Sequence, residues 1–116
     1  MTEWERAIDL CQNIAYHPLH PSLDCTEIVE RFLRVCPTGQ MQFIHAGPQP
    51  TAFVIWEHGH WVPFVYHAIF VQQAHVFDPY WSAEPLPYHD YQAQLQAQNP
   101  TIPLQWTDEL PRGYIQ

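Results

Sequence analysis

Hydrophobic and polar positions follow a helical period at the start of the chain. Within residues 4–15 the apolar positions recur every three or four residues, the spacing of one buried helical face. They are Trp4, Ala7, Ile8, Cys11, Ile14 and Ala15. Thr2 and Glu5 have the spacing of a capping box, in which two side chains bind free backbone amides at a helix start. We therefore predict an amphipathic helix that ends before the proline-rich segment 17–21.

A second helical pattern covers residues 24–36. Asp24 and Glu27 repeat the capping spacing, with aspartate as the N-cap, and a proline and a glycine follow the pattern as a stop. The apolar stripe of this helix consists of Ile28, Val29, Phe32, Val35 and Cys36. With Asp24 as the N-cap, Cys25 is predicted to be the first residue inside the helix.

From about Met41 the period of the pattern changes to two. Four segments rich in β-branched and aromatic residues are separated by turn signals: residues 41–44, 52–56, 62–71 and 75–78. They predict an antiparallel sheet of about four strands. A polar helix follows over residues 88–98, and then a tail with Trp106. Helices first and strands second indicate a single α+β domain over residues 1–116.

Charge and composition exclude several classes of function. The chain has 12 acidic residues and only 4 basic ones, a net charge of −8, which opposes binding to phosphate backbones and to anionic membranes. No apolar run approaches the roughly 18 residues of a membrane-spanning helix. We therefore expect neither a nucleic-acid partner nor a membrane partner.

The N-terminal segment and the cysteines indicate the cellular compartment of the protein. No secretory signal is visible at the N-terminus, and the three cysteines form no CxxC pair. Reduced thiols in a cytoplasmic protein fit this pattern, although a domain of an effector system could be secreted. We expect no cofactor.

Cys25 is the first candidate for chemistry. A thiol at a helix N-terminus meets the positive end of the helix dipole and free amides, which favour the thiolate and could also hold a substrate oxyanion. The alternative is a small core residue, because free cysteine is among the most buried residue types. Cys11 and Cys36 have the positions of structural cysteines.

His67 and Asp78 are the second and third candidates. His67 interrupts a strongly apolar strand and needs a polar partner there, and Asp78 ends the next strand, where it needs a partner or solvent. The alternative for His67 is a core histidine whose hydrogen bonds are satisfied. A two-residue turn at Gln72-Gln73 would place the two side chains directly opposite each other on one face. A turn at Gln73-Ala74 would break this match. Cysteine, histidine and carboxylate together supply a nucleophile, a general base and a group that orients the base.

These three motifs resemble the papain-like fold of cysteine peptidases. Cys25 opens a helix, and the segments His67-Ala68-Ile69-Phe70-Val71 and Val76-Phe77-Asp78-Pro79 follow on consecutive strands. The chain resembles most the compact bacterial papain-fold toxin domains, with transglutaminase-like proteins as relatives. The resemblance covers roughly residues 4 to 82. It implies a papain-like α+β fold with N-terminal helices packed on a small antiparallel sheet.

The resemblance also implies an activity. Cys25 would be the nucleophile, His67 the base and Asp78 its orienting partner, in a peptidase, glutamine deamidase or transglutaminase acting on a protein or peptide substrate. The nearest upstream amides for an oxyanion role are Gln12 and Asn13, followed by His17 and His20. A toxin-like role would further imply an inhibitor or immunity protein as a partner.

Two other functions stay open from the sequence. His17-x-x-His20 and His58-Gly59-His60 supply four imidazoles that could bind zinc. The five tryptophans and the stretch Phe77-Asp78-Pro79-Tyr80-Trp81 could form the contact surface of a non-catalytic interaction or immunity-type module.

Overall fold

Three helices and seven short strands form an α+β fold in the computed structural model, which describes residues 1–18, 24–57 and 59–114. The helices are α1 (Glu3–Tyr16), α2 (Cys25–Val35) and α3 (Tyr88–Gln98). The strands are β1 (Gln40–His45), β2 (Phe53–Glu57), β3 (His60–Phe64), β4 (Tyr66–Gln72), β5 (His75–Phe77), β6 (Leu86–Pro87) and β7 (Gln105–Thr107). None of the helices in these residues is both long and apolar enough to cross a membrane.

The predicted helices are confirmed together with their N-terminal caps. Thr2 and Glu5 form both hydrogen bonds of the capping box at the start of α1, at 2.9 and 3.1 Å. At the start of α2, the Asp24 carboxylate accepts a hydrogen bond from the Glu27 amide at 2.9 Å. These local interactions fix where each helix begins, and so they fix the position of Cys25 as the first residue of α2.

The described strands pair antiparallel, as predicted, but they form two sheets rather than the predicted single sheet of about four strands. Five strands pair in the order β6-β5-β4-β1-β7, while β2 and β3 form a separate hairpin. The predicted strand 62–71 is divided at Val65, where β3 ends and β4 begins. Pro63 lies just before this break and has no amide to donate to a ladder, which suits a strand that changes partners.

The five-stranded sheet has an apolar cluster on each face. Helices α1 and α2 cover one cluster, whose buried members include Phe32 on α2 and Phe70 on β4, with stacked rings 5.1 Å apart. Helix α3 and the β2–β3 hairpin cover the other cluster, which includes Tyr91 on α3 and Ile55 on β2. Strand β4 lies in the middle of the sheet, so the residues at its start are enclosed from both sides.

Side-chain amides of α3 and of its C-cap attach the β2–β3 hairpin to the rest of the fold. Asn99 accepts a hydrogen bond from the Val54 amide at 2.8 Å and donates one to the Val54 carbonyl at 2.9 Å. Gln98 accepts a hydrogen bond from the Trp56 amide at 3.3 Å. The hairpin is therefore held along β2 by side chains rather than by another strand.

The turn between β4 and β5 differs from the predicted one. Phe70 pairs with Phe77 and Gln72 pairs with His75, so the two turn residues are Gln73 and Ala74 rather than Gln72-Gln73. Both turn residues have positive φ values, 49° and 58°, as a type I′ hairpin turn requires. The twist of the flanking strands favours this turn even though neither residue is a glycine or an asparagine.

Candidate active site

Cys25 lies at the start of α2 with its sulfur close to the sheet. The Ala68 amide on β4 donates a hydrogen bond to the Cys25 Sγ at 3.2 Å. The helix dipole and this amide both favour negative charge on the sulfur. Cys25 is only partly buried and lines a cavity, whereas Cys11 and Cys36 are fully buried in the core.

His67 and Asp78 form a buried pair beside this cysteine. The His67 Nε2 and the Asp78 Oδ2 lie 3.0 Å apart, and the two residues are only 4% and 7% exposed. They do not lie directly opposite each other, as the predicted turn required. Asp78 follows β5 in line with Ile69, two residues from His67 on the same face, so the pair meets on the diagonal.

The environment of the pair favours its charged form. Burial by itself raises the pKa of Asp78, but the His67 charge and the hydrogen bonds from His67 and Tyr91 hold that pKa below its ordinary value. Burial lowers the pKa of His67, but the charge and the hydrogen bond of Asp78 raise it well above its ordinary value. Asp78 therefore stabilises the imidazolium that His67 becomes when its ring takes up a second proton.

Tyr91 on α3 completes the environment of Asp78. Its hydroxyl donates a hydrogen bond of 2.6 Å to the Asp78 Oδ2. Burial and the nearby Asp78 charge raise the pKa of Tyr91 well above its ordinary value, so the hydroxyl keeps its proton and stays a donor. Sequence reasoning missed this residue, although Tyr91 and Leu95 are one helical turn apart and are the buried residues of an otherwise polar helix.

The ring nitrogen of His67 that is available to the Cys25 thiol is Nδ1, because Nε2 is bound to Asp78. Nδ1 is buried and has no hydrogen-bond partner among the described residues. The Cys25 side chain is among the groups that raise the pKa of His67, which indicates that the sulfur lies near the ring. With Nε2 held by Asp78, a proton from the thiol would move to Nδ1.

The cavity beside these residues has a volume of about 640 Å³. Its lining includes Cys25, His67 and Asp78 together with the aromatic residues Phe64 and Tyr66. The Phe64 ring packs edge-on against the His67 ring, with centroids 4.8 Å apart. No arginine is among the described residues that line the cavity. The cavity is therefore lined by apolar and acidic side chains, together with the thiol of Cys25 and the imidazole of His67.

Glu57 is a further buried acid at the site that sequence reasoning missed. It is 6% exposed, and its Oε2 has no hydrogen-bond partner among the described residues. Burial, with a smaller effect of the Asp78 charge, raises the pKa of Glu57 to about 7. The alternation of buried and more exposed positions along β2 could have identified Glu57 as buried. Phe53, Ile55 and Glu57 all lie on the buried face of that strand.

The residues considered for an oxyanion role lie elsewhere. Gln12 donates a hydrogen bond to Glu84 at 2.8 Å, Asn13 is exposed on α1, and neither lines the cavity. The backbone amide that contacts the cysteine is instead that of Ala68.

Of the four histidines considered for zinc, the structure describes two. His17 and His60 are exposed, and His20 and His58 lie outside the described residues. A group with suitable ligand atoms occurs at the candidate site itself, where Glu57, His67 and Asp78 each place one such atom within 4.8 Å of the others.

The aromatic stretch considered for an interaction surface is mostly enclosed. Phe77, Asp78 and Pro79 are buried. The exposed aromatic side chains of the hairpin are Trp56 and Trp61, at 44% and 52% exposure, with ring centroids 4.9 Å apart.

Comparison of the chain with protein-family models, with curated proteins and with solved structures finds no match. The arrangement of Cys25, His67 and Asp78 in one cavity therefore carries the inference about function.

Proposed function

We propose that this chain is a cysteine-dependent acyl-transfer enzyme of the papain-like type, with Cys25 as nucleophile, His67 as general base and Asp78 as the residue that orients the base. One observation carries the proposal: the buried His67–Asp78 pair, 3.0 Å between Nε2 and Oδ2, lies in the same cavity as a cysteine at a helix start. Buried ionisable groups are costly unless they are paired, and their clustering in a cavity is typical of active sites.

The reaction follows from the roles of the three side chains. The Cys25 sulfur attacks an amide carbonyl, and the amine leaves with the proton that His67 took from the thiol. The product is a thioester between substrate and Cys25. Water then attacks the thioester, assisted by His67, to complete peptide hydrolysis or glutamine deamidation. A primary amine in place of water gives transamidation.

The electrostatics of the site support this chemistry. The Ala68 amide and the N-terminus of α2 stabilise negative charge on the sulfur, and Asp78 stabilises positive charge on His67. An acidic chain with an acidic cavity suits an acyl donor that is neutral or basic around the reacting amide. We infer a protein or peptide substrate, in keeping with a toxin or effector domain of the papain-like type.

Thiol reactivity tests the assignment of the nucleophile and base. Iodoacetamide labelling of the folded chain across pH, read by mass spectrometry, is expected to show one fast thiol. The fast reaction is expected to be absent in Cys25→Ala and slower near neutral pH in His67→Ala. Cys11→Ala and Cys36→Ala are matched controls that keep the fast reaction. Labelling of Cys25 only after unfolding would refute the proposal.

A second measurement separates the possible reactions. Peptides that contain glutamine are incubated with the protein, with and without a small primary amine, and are analysed by mass spectrometry. Cleaved peptides indicate a peptidase, the mass change of amide to acid indicates a deamidase, and an amine adduct indicates a transglutaminase. Cys25→Ala controls for contaminating activities.

A non-catalytic interaction module is the second candidate function, and the exposed Trp56–Trp61 pair favours it. Aromatic residues are enriched at the cores of protein interfaces relative to the rest of the protein surface. This reading predicts no fast thiol, and it predicts that Trp56→Ala weakens binding to a partner while Cys25→Ala does not.

A further inference from the structure

We propose that Glu57, His67 and Asp78 bind a divalent transition metal ion of the Zn²⁺ type, and that the bound ion blocks the thiol chemistry of the neighbouring Cys25. Each of the three residues offers one ligand atom, and these atoms lie within 4.8 Å of one another. They come from β2, β4 and the end of β5, so the site forms only when the hairpin closes over the five-stranded sheet.

The distances suit a small metal ion. With metal–ligand distances of about 2.0–2.1 Å, two ligand atoms of a tetrahedral zinc site lie about 3.3 Å apart. The His67 Nε2 and the Asp78 Oδ2 are already 3.0 Å apart. The Glu57 carboxylate lies within the same group, so a small shift of its side chain brings a third ligand into place.

The charges of the site also favour a cation. Two carboxylates, those of Glu57 and Asp78, share one imidazole, and all three side chains are at least nine-tenths buried. The Glu57 Oε2 has no partner among the described residues, although an unpaired buried carboxylate is costly. A divalent ion between the two acids supplies the charge that His67 alone does not.

The donor set selects the class of metal. One imidazole and two carboxylates give three ligands of the kind found in open zinc sites, with a further position left for water. Ca²⁺ and Mg²⁺ are disfavoured because they require six or more oxygen ligands. Tyr91 donates to the Asp78 Oδ2, which is the type of outer partner that orients a ligating carboxylate. The cavity gives the ion a route to the buried ligands.

The inhibitory effect rests on the proposed function. A metal ion on the Nε2 of His67 replaces the proton at that nitrogen, and the remaining proton of the neutral ring then sits on Nδ1. Nδ1 can no longer accept the proton of the Cys25 thiol. A bound metal therefore removes the general base without touching the sulfur.

Zinc binding to the untagged chain tests the site directly. A chromophoric zinc chelator competes with the protein, and the displaced zinc gives stoichiometry and affinity. Wild type is expected to bind one equivalent, and both Glu57→Gln and Asp78→Asn are expected to weaken binding by more than about 100-fold, since even loss of an outer-sphere partner costs 10–100-fold. The double substitution His17→Gln with His60→Gln is the control for exposed histidines and is expected to leave binding unchanged.

Several results would overturn the metal site. They are the absence of stoichiometric zinc binding in wild type, unchanged affinity in both Glu57→Gln and Asp78→Asn, and loss of binding in the histidine control. Circular dichroism and thermal unfolding of each variant show that it is folded, and two variants at different ligands guard against a folding defect in one.

A cysteine variant separates this inference from the proposed enzyme. Cys25→Ser is expected to bind zinc as wild type does, and its Co²⁺ complex is expected to have the same spectrum as that of wild type, without a thiolate charge-transfer band. Loss of binding in Cys25→Ser would overturn the assignment of ligands. Metal binding is measured without any substrate, so its outcome is independent of whether the thiol is reactive.

Discussion

Replacing Glu57 with glutamine is expected to change the pH dependence of the free energy of unfolding. Glutamine has nearly the same shape as a protonated glutamate but cannot ionise. Glu57 is 6% exposed, and burial raises its pKa to about 7. The comparison of the two side chains therefore isolates the free-energy cost of a buried negative charge.

The magnitude follows from linkage between proton binding and folding. The pKa of an ordinary glutamate is 4.5, and that of Glu57 is about 7 in the folded chain. At roughly 1.4 kcal/mol for each unit, the gap corresponds to about 3 kcal/mol. Because the folded-state pKa is the higher one, the contribution of Glu57 to stability is fully present below pH 4.5 and is lost as the pH rises through about 7.

Urea unfolding, followed by tryptophan fluorescence with a chelator present, measures the effect. Wild type and Glu57→Gln are expected to have similar free energies of unfolding at about pH 5, and the variant is expected to be more stable by about 3 kcal/mol at about pH 8. Taking the difference between the two proteins removes the contributions of groups that do not interact with Glu57. Glu30→Gln, at an exposed position on α2, is the matched control.

A constant difference between wild type and Glu57→Gln over this pH range would refute the reasoning. So would a variant that is less stable at the higher pH, because that result would mean that the ionised carboxylate has a favourable partner in the folded chain. The same pH trend in Glu30→Gln would show that the effect belongs to net charge rather than to burial.

Three further predictions concern the surroundings of the site. Tyr91→Phe removes the hydroxyl that donates to the Asp78 carboxylate, so urea unfolding is expected to show a loss of about 1.5–3 kcal/mol; an unchanged midpoint would contradict this. Gln73→Asn combined with Ala74→Gly relieves two positive φ values and is expected to raise stability by about 1 kcal/mol in the same assay, whereas a decrease would argue against the type I′ turn. Burial raises the pKa of Cys11 to about 12, so this thiol is expected to resist iodoacetamide at about pH 9 until urea unfolds the chain; rapid labelling of Cys11 in the native protein would show that it is not buried.

The helices could be predicted from the sequence because their signals are local. A capping residue, an acid three positions on and a period of 3.6 lie within a few residues of one another, so Thr2 with Glu5 and Asp24 with Glu27 were sufficient to place α1 and α2. The position of Cys25 at a helix start follows from the same signals.

The sheets were harder to predict because strand pairing depends on distant residues. The turn at Gln73-Ala74 has no glycine or asparagine to mark its positive φ values, so the register of β5 against β4 could not be read from the turn. His67 and Asp78 nevertheless meet, because diagonal neighbours on one face lie within reach of long side chains. His67 and Asp78 therefore lie close together as expected, but as diagonal neighbours rather than as a directly opposed pair.

Glu57 illustrates how the three-dimensional arrangement can override a local expectation. In the sequence it follows a tryptophan and precedes a turn, where an exposed acid is usual. It becomes buried because the β2–β3 hairpin forms its own sheet and closes over the start of β4. The change of strand partners at Val65, which makes this closure possible, has only Pro63 as a local signal.

The two hydrogen bonds between Asn99 and Val54 have a consequence for contacts between molecules. A two-stranded sheet has two open edges, and an open edge can pair with a strand of another chain. The Asn99 side chain binds both the amide and the carbonyl of Val54, the groups that an incoming strand would use, and Gln98 binds the amide of Trp56. One residue past the end of α3 thus imitates a neighbouring strand and protects the edge of β2 from intermolecular pairing.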